Sequence, residues 1–303
     1  MTTPRYSAAA ASRGLAIPVA AAVGMLAFAA SWAIVDGIAP AGIHHFGGWE
    51  IVFGRYSVHL AIVLVLWARR APWRTAHLRT QLVRSAMMLA MPASFIMALS
   101  RGVSSAAVLR VFWCAPLIVV GVGAILDRRR ASRLSWAAGV LGWAAAWVYY
   151  EPASAAAAAT RGSLIFGGAM AASFAVYVAM TRALRDEPLR VNLFYTALVP
   201  WAALGLLMPH VWVTPTSSEL VTLLLIGAIG WVGLLALDRA EHAAQTAASG
   251  PLIAVQPALI AALLAFVGQG PPLSRLLLFT ALFLPAMALG LLGLARSSVE
   301  NLA

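Results

Sequence analysis

Arg110 lies in an otherwise apolar run, with Trp113 one helical turn further on and Pro116 just beyond. An ionised side chain inside a membrane span costs about 2.5–3.5 kcal/mol on insertion scales, which makes it a functional suspect. Its planar guanidinium could grip a carboxylate or phosphate through paired hydrogen bonds. The competing reading is an arginine that snorkels to the outer interface or caps a helix end. Arg55 poses the same problem in an earlier apolar run, and His59 follows one turn later on the same face. For Arg55 a structural clamp on neighbouring carbonyls is the favoured role. His59 could relay a proton, although a hydrogen-bonded bundle histidine is the simpler reading.

A third cluster holds Asp238, Glu241, His242 and Gln245. Asp238 and His242 are one turn apart and could exchange a proton, or Asp238 could neutralise Arg239 and cap the next helix. Gln256 stands beside Pro257 in one late apolar run, and Pro116 holds the matching place in an earlier one. A mid-helix proline frees a carbonyl in the preceding turn, so this pair marks either gating helices or ordinary kinks. Trp32, Trp113, Trp201, Trp231 and Tyr177 fall deep within apolar runs, where they could wall a cavity by stacking or simply pack. Trp49, Trp67, Trp136 and Trp212 sit at run ends, as an interfacial belt would.

These residues need helices to hold them. With 62% hydrophobic and 10% charged residues over 303 positions, a soluble core is not credible. A hydrocarbon layer about 30 Å thick needs around 20 apolar residues in a helix, with every backbone N–H paired inside its own segment. The pattern predicts spans near 16–36, 49–68, 81–99, 104–126, 134–150, 162–182, 190–208, 219–237, 243–267 and 274–294. The expected fold is an all-α polytopic membrane protein of ten helices. Asp36, Glu50, Asp127, Glu151 and Glu219 then map to helix ends or loops, so coupling through a buried acid is not indicated. Gly227, Gly230 and Gly233 give the eighth helix a stripe for close contact.

All 21 basic residues are arginine, and they are sorted. With the N-terminus inside, sixteen fall in inside segments and only Arg101, Arg161 and Arg275 outside. Positive charge favours the cytoplasmic side, which predicts a multi-pass cytoplasmic (inner) membrane protein with both termini in the cytoplasm. The net charge of +11 is better explained by this sorting and by anionic headgroups than by nucleic acid. Basic Arg5 and Arg13 precede the first apolar run as in a signal peptide, but the run is longer than a signal core and reads as an uncleaved span. A single cysteine, Cys114, excludes an internal disulfide and a multi-cysteine metal site.

The chain divides into halves, 1–152 and 153–303, each with five helices. Met97-Ala98-Leu99-Ser100-Arg101 is echoed by Leu235-Ala236-Leu237-Asp238-Arg239, and each is followed by small residues and then a proline-bearing helix. An odd helix count per repeat puts the second repeat into the membrane in the opposite sense, a pattern of transporters with alternating access.

The chain thereby resembles the drug/metabolite transporter superfamily in its ten-helix EamA-type branch. The resemblance rests on Trp32, Arg55 within Phe53-Gly54-Arg55-Tyr56, and Ala98-Leu99-Ser100-Arg101 leading to Ser104-Ser105-Ala106-Ala107. Pro116, Gly139 within Trp136-Ala137-Ala138-Gly139, and Pro257 complete it. It covers essentially the whole chain. Where such proteins commonly carry a Gly-Glu pair, this one has Leu126-Asp127-Arg128 and Gly268-Gln269-Gly270.

Together these features predict a secondary transporter, exporting small metabolites such as amino acids, as monomer or homodimer among membrane lipids. The alternative is an intramembrane enzyme acting on a lipid or amphipathic substrate. Against it, there is no Gly-x-Ser-x-Gly, no His-Glu-x-x-His, no paired-aspartate motif and no phosphate-cradling loop. No catalytic residue, metal site or cofactor is expected. The expected cavity comprises Trp32, Arg110, Trp113, Tyr177, Trp231 and Gln256. Structural or coupling roles fall to Arg55, His59, Pro116, Asp238, His242, Gln245 and Pro257.

Overall fold

The structure is a computed structural model that describes residues 8–43, 46–126, 128, 130–151, 160–243, 246–266 and 271–300. Every regular element among these residues is helical. The first half holds α1 (Ala8–Gly42), α2 (Gly48–Trp67), α3 (Leu78–Ser100), α4 (Ser105–Phe112), α5 (Ala115–Leu126) and α6 (Arg133–Tyr149). The second holds α7 (Arg161–Ala183), α8 (Leu189–Gly205), the short α9 (Met208–Val211), α10 (Ser217–Ala243), the short α11 (Thr246–Ser249), α12 (Val255–Phe266) and α13 (Leu273–Glu300).

Eight helical stretches among the described residues are long and apolar enough to cross a membrane, against the ten expected. The difference lies in α6 and α8, which have 17 residues each. At 1.5 Å per residue they reach about 26 Å, just short of the hydrocarbon thickness. The outward faces are apolar: Val65, Leu206 and Phe266 are each more than four-fifths exposed, and Leu277, Leu284 and Leu292 are more than half exposed. Such a surface would aggregate in water and is at home in lipid. These features mark a membrane-embedded helical bundle.

Two of the expected helices are broken. The fourth is interrupted at Trp113 and Cys114, where Cys114 N–H donates to Val111 O and Leu117 N–H to Cys114 O, both three residues back. The ninth begins as α11, tightens into a 3-10 turn over Gly250–Ala254, and resumes as α12. Pro116 and Pro257 were expected at mid-helix. They lie instead in the first turns of α5 and α12, where a missing N–H leaves no helical carbonyl unpaired.

The helices pair across the two halves: α1 packs on α10, α3 on α7, α2 on α8 and α10, and α6 on α13. Glycines set the closest of these contacts. A Cβ on Gly227 would stand 2.5 Å from Val58 Cβ, and one on Gly24 would stand 2.8 Å from Ala236 O. The stripe on α10 is therefore a packing surface, against which α1 and α2 lie with almost no gap.

The loops are tied by carboxylates. Glu50 accepts the backbone N–H of Gly47 and, across the chain, that of Val213 at 2.9 Å. At the opposite end of the bundle Glu187 accepts from Thr75 Oγ1 at 2.8 Å and Ala76 N–H at 3.1 Å, joining the α2–α3 and α7–α8 connections.

Candidate functional site

Arg55 is the centre of a buried polar cluster where α2 meets α1 and α10. It is only 7% exposed, and its guanidinium lies 4.3 Å from the ring centre of Trp32 and 5.3 Å from that of Tyr56. Gly230 of α10 makes room for it, since a Cβ there would meet Arg55 Nε at 3.2 Å. Arg55 Nη2, Trp32 Nε1, Tyr56 Oη and His59 Nε2 are buried without a protein partner. A buried donor left unpaired costs about 1–3 kcal/mol. Four of them on one helix turn and its neighbour are a reason to look for a polar ligand.

The opposite charge comes from α1. Asp36 was expected at a helix end, but α1 continues to Gly42 and carries it inside the bundle. Gln256 Nε2, from the first turn of α12, donates to Asp36 Oδ2 at 3.0 Å. The carboxylate is within electrostatic reach of Arg55 and of Tyr150. Asp36 is surrounded by protein yet keeps accessible surface.

An aromatic wall closes this region. Phe28 stacks on Phe174 at 6.1 Å and meets Trp32 edge-on at 6.0 Å. Phe112 continues it to Phe174 and to Trp113, the latter at 5.2 Å. Trp113 is 2% exposed and stands beside Tyr150, while Tyr177, equally buried, lies within electrostatic reach of Tyr56.

Arg110 lies elsewhere. Its Nε donates to Trp147 O at 2.9 Å and its guanidinium covers the Trp147 ring at 4.5 Å, while Trp143 Nε1 donates back to Arg110 O. Its charged neighbours are Glu151 and Arg275, at the end of the bundle, and the cluster around Arg55 does not include it. The partner whose absence singled Arg110 out in the sequence is a tryptophan on α6. Trp231 packs against Trp67, ring centres 6.2 Å apart, with its indole N–H buried and unpaired. Gln245 lies outside the described residues.

A second polar group lies two turns along α10. Asp238 was expected at a helix junction; α10 runs on to Ala243, and Asp238 is 2% exposed within it. Arg84 of α3 faces it, 1% exposed, with Nη1 3.9 Å from Asp238 Oδ1. Arg84 also donates to Thr181 Oγ1 at 3.0 Å, to Thr196 Oγ1 at 2.7 Å and to Asn192 O, and covers the Tyr177 ring at 5.1 Å. Asn192 Nδ2 donates to Asp238 Oδ1 at 3.1 Å, and Gln81 Nε2 donates to Asn192 Oδ1 at 2.7 Å.

Sequence reasoning missed Arg84 and Asn192 because Arg84 was counted among the topology-setting arginines. Gln81, Arg84 and Ser85 share one helical face, and that spacing was the available signal. His59, between the two groups on α2, is within electrostatic reach of both Arg55 and Arg84.

The class defined by this fold is a polytopic, all-helical membrane protein with charged groups held in its interior. A solved crystal structure, described only as the crystal structure of a protein, is similar to it in fold. It aligns at a TM-score of 0.77 and 19% identity, covering 94% of this chain and 98% of its own. No family model matches the chain, and no curated protein matches it either.

Proposed function

We propose that the protein is a secondary transporter of small metabolites such as amino acids, exporting them across the cytoplasmic membrane by alternating access. The observation that carries this reading is the cluster of opposite charges inside the bundle. Asp36 and Gln256 come from α1 and α12, Arg55 from α2, and the seam between the halves runs through them. A carboxylate that keeps accessible surface and a guanidinium with an unpaired amino group suit a solute bearing both an ammonium and a carboxylate, and the aromatic wall suits its side chain.

The helix pairing supports ten spans in two inverted five-helix repeats of the drug/metabolite transporter type. Counting α4 with α5 and α11 with α12 as single broken spans, α1 on α10 has its counterpart in α3 on α7. In the same way α2 on α10 matches α3 on α8, and α4 and α5 on α7 match α12 on α1. The pairs α2 with α8 and α6 with α13 are counterparts of themselves, whereas α1 on α13 and α7 on α10 have no comparable counterpart. Exchanging the halves thus reproduces the largest helix contacts, which supports the near-equivalence that alternating access requires. The arginine asymmetry favours a cytoplasmic side for the α2–α3 and α7–α8 connections and for both termini.

The test is counterflow in proteoliposomes loaded with unlabelled amino acid mixtures and challenged with labelled ones. Uptake that is lost in Asp36→Asn and in Arg55→Lys supports the reading. If no amino acid exchanges in the intact protein, the amino-acid part of the reading is wrong.

A further inference from the structure

We infer that Asp238 is a proton-binding site, loaded from the adjacent end of the bundle through His242, and that its charge state governs the tie between α3 and α10. The linkage of this site to transport rests on the function proposed above; the site itself does not.

Arg84 is held mainly by neutral partners, namely Thr181, Thr196, the Asn192 carbonyl and the Tyr177 ring. Its charge and position therefore do not depend on Asp238 staying ionised. Asp238 is held unevenly. Oδ1 accepts from Asn192 and faces Arg84, whereas Oδ2 is buried with no hydrogen-bond partner. A carboxylate with one oxygen saturated and the other bare is built to take a proton on the bare one. A metal ion is an unsuitable occupant, because the fixed guanidinium repels a cation that stays charged. A proton neutralises the carboxylate instead.

The route is also present. His242 is one turn beyond Asp238, and its side chain is 32% exposed. Its Nδ1 lies 2.6 Å from Asp238 O and 3.7 Å from Asp238 Oδ2. Solvent can protonate Nε2, giving an imidazolium that turns from the Asp238 carbonyl toward Oδ2, where its Nδ1–H bond breaks as the Oδ2–H bond forms. The ring is left neutral with its proton on Nε2, and one proton has moved from solvent to Asp238. The other charged groups packed around this end are Arg182 on α7, which donates to Glu241 O, together with Glu241 and Arg239 on α10 itself. On α3 and α8 the facing groups beside Arg84 are the neutral Gln81, Asn192 and Thr196. Protonation removes the anion that faces Arg84 and loosens α3 from α10, across the seam between the halves. His59 and Tyr177 lie between this group and the cluster around Arg55.

Infrared titration of the lipid-reconstituted protein tests the site without any substrate. With carbon-13 in the aspartate carboxyl groups, an isotope-sensitive carboxylic-acid band should be present at neutral pH. That band should survive in Asp36→Asn and vanish in Asp238→Asn. After a pH jump its rise should slow roughly tenfold or more in His242→Ala, as expected when a positioned proton carrier is removed. If Asp238→Asn does not fold, the labelled Asp36→Asn protein and the His242→Ala kinetics still decide. An absent band, a band abolished by Asp36→Asn, or unchanged kinetics in His242→Ala overturns the proposal. Failed amino-acid counterflow with the band intact would instead count against the transport function alone.

Discussion

The side-chain amide of Gln256 donates a 3.0 Å hydrogen bond to Asp36, tying the first helix to the first turn of α12 across 220 residues of sequence. The bond leaves one carboxylate oxygen available while it holds the other. Gln256→Ala should therefore free Asp36 to move and weaken binding of a cationic group without removing the charge. Asp36→Asn should remove the charge and cost more. Binding titrations of both variants against the best counterflow substrate check the order, and equal losses would deny Gln256 a positioning role.

Arg84→Ala should be the most destabilising of the single substitutions. It removes the guanidinium that joins Thr181, Thr196 and the Asn192 carbonyl, and a buried charged hydrogen bond is typically worth about 1.5–3 kcal/mol. Arg84→Lys should recover only part of this, because one ammonium cannot reach Thr181, Thr196 and Asn192 in the fork geometry. Thermal unfolding in detergent measures both, and a wild-type midpoint for Arg84→Ala would refute the account.

Arg110→Ala should lower stability modestly, by about 1–3 kcal/mol for the lost charged hydrogen bond to Trp147 O. Substrate affinity should hold, since Arg55 and Asp36 are elsewhere. A large loss of binding with normal folding would bring Arg110 back into the site.

Gly227→Ala should loosen α10 from α2, because its Cβ would arrive 2.5 Å from Val58 Cβ and the backbone must shift. Overpacking of this kind costs about 1–3 kcal/mol. Val58→Ala in the same chain should restore most of the lost midpoint, and the double variant's unfolding curve reads this directly.

Orientation can be read by thiol labelling in a Cys114→Ala background. Cysteine at Ala76 should be protected from an impermeant reagent added outside intact cells, and cysteine at Thr214 should react. The reverse pattern would invert the topology and place the Asp238 site at the outer face.

The membrane-embedded helical class was legible in the sequence because bilayer thickness imposes a length on every apolar run, and that length survives without knowledge of the partners. The glycine stripe on α10 was legible for a similar reason, since a missing side chain is a local fact. Trp32, Arg55 and Gln256 were singled out as unusual types at depth, yet nothing local joined Gln256 to Asp36. Their contact depends on α1 continuing past the expected end and on the ninth span breaking before Pro257. Arg84 and Asp238 were placed near helix ends by their charge, because an unpaired ion belongs at an interface. Only the tertiary structure could bury them, by bringing Thr181, Asn192 and Thr196 from α7 and α8 to satisfy a guanidinium on α3. For Arg110 the sequence lacked the partner: Trp147 on α6 is 37 residues away, and no periodicity announces it. Apolar length is a property of each segment alone, whereas the pairing of a buried charge is a property of the whole bundle.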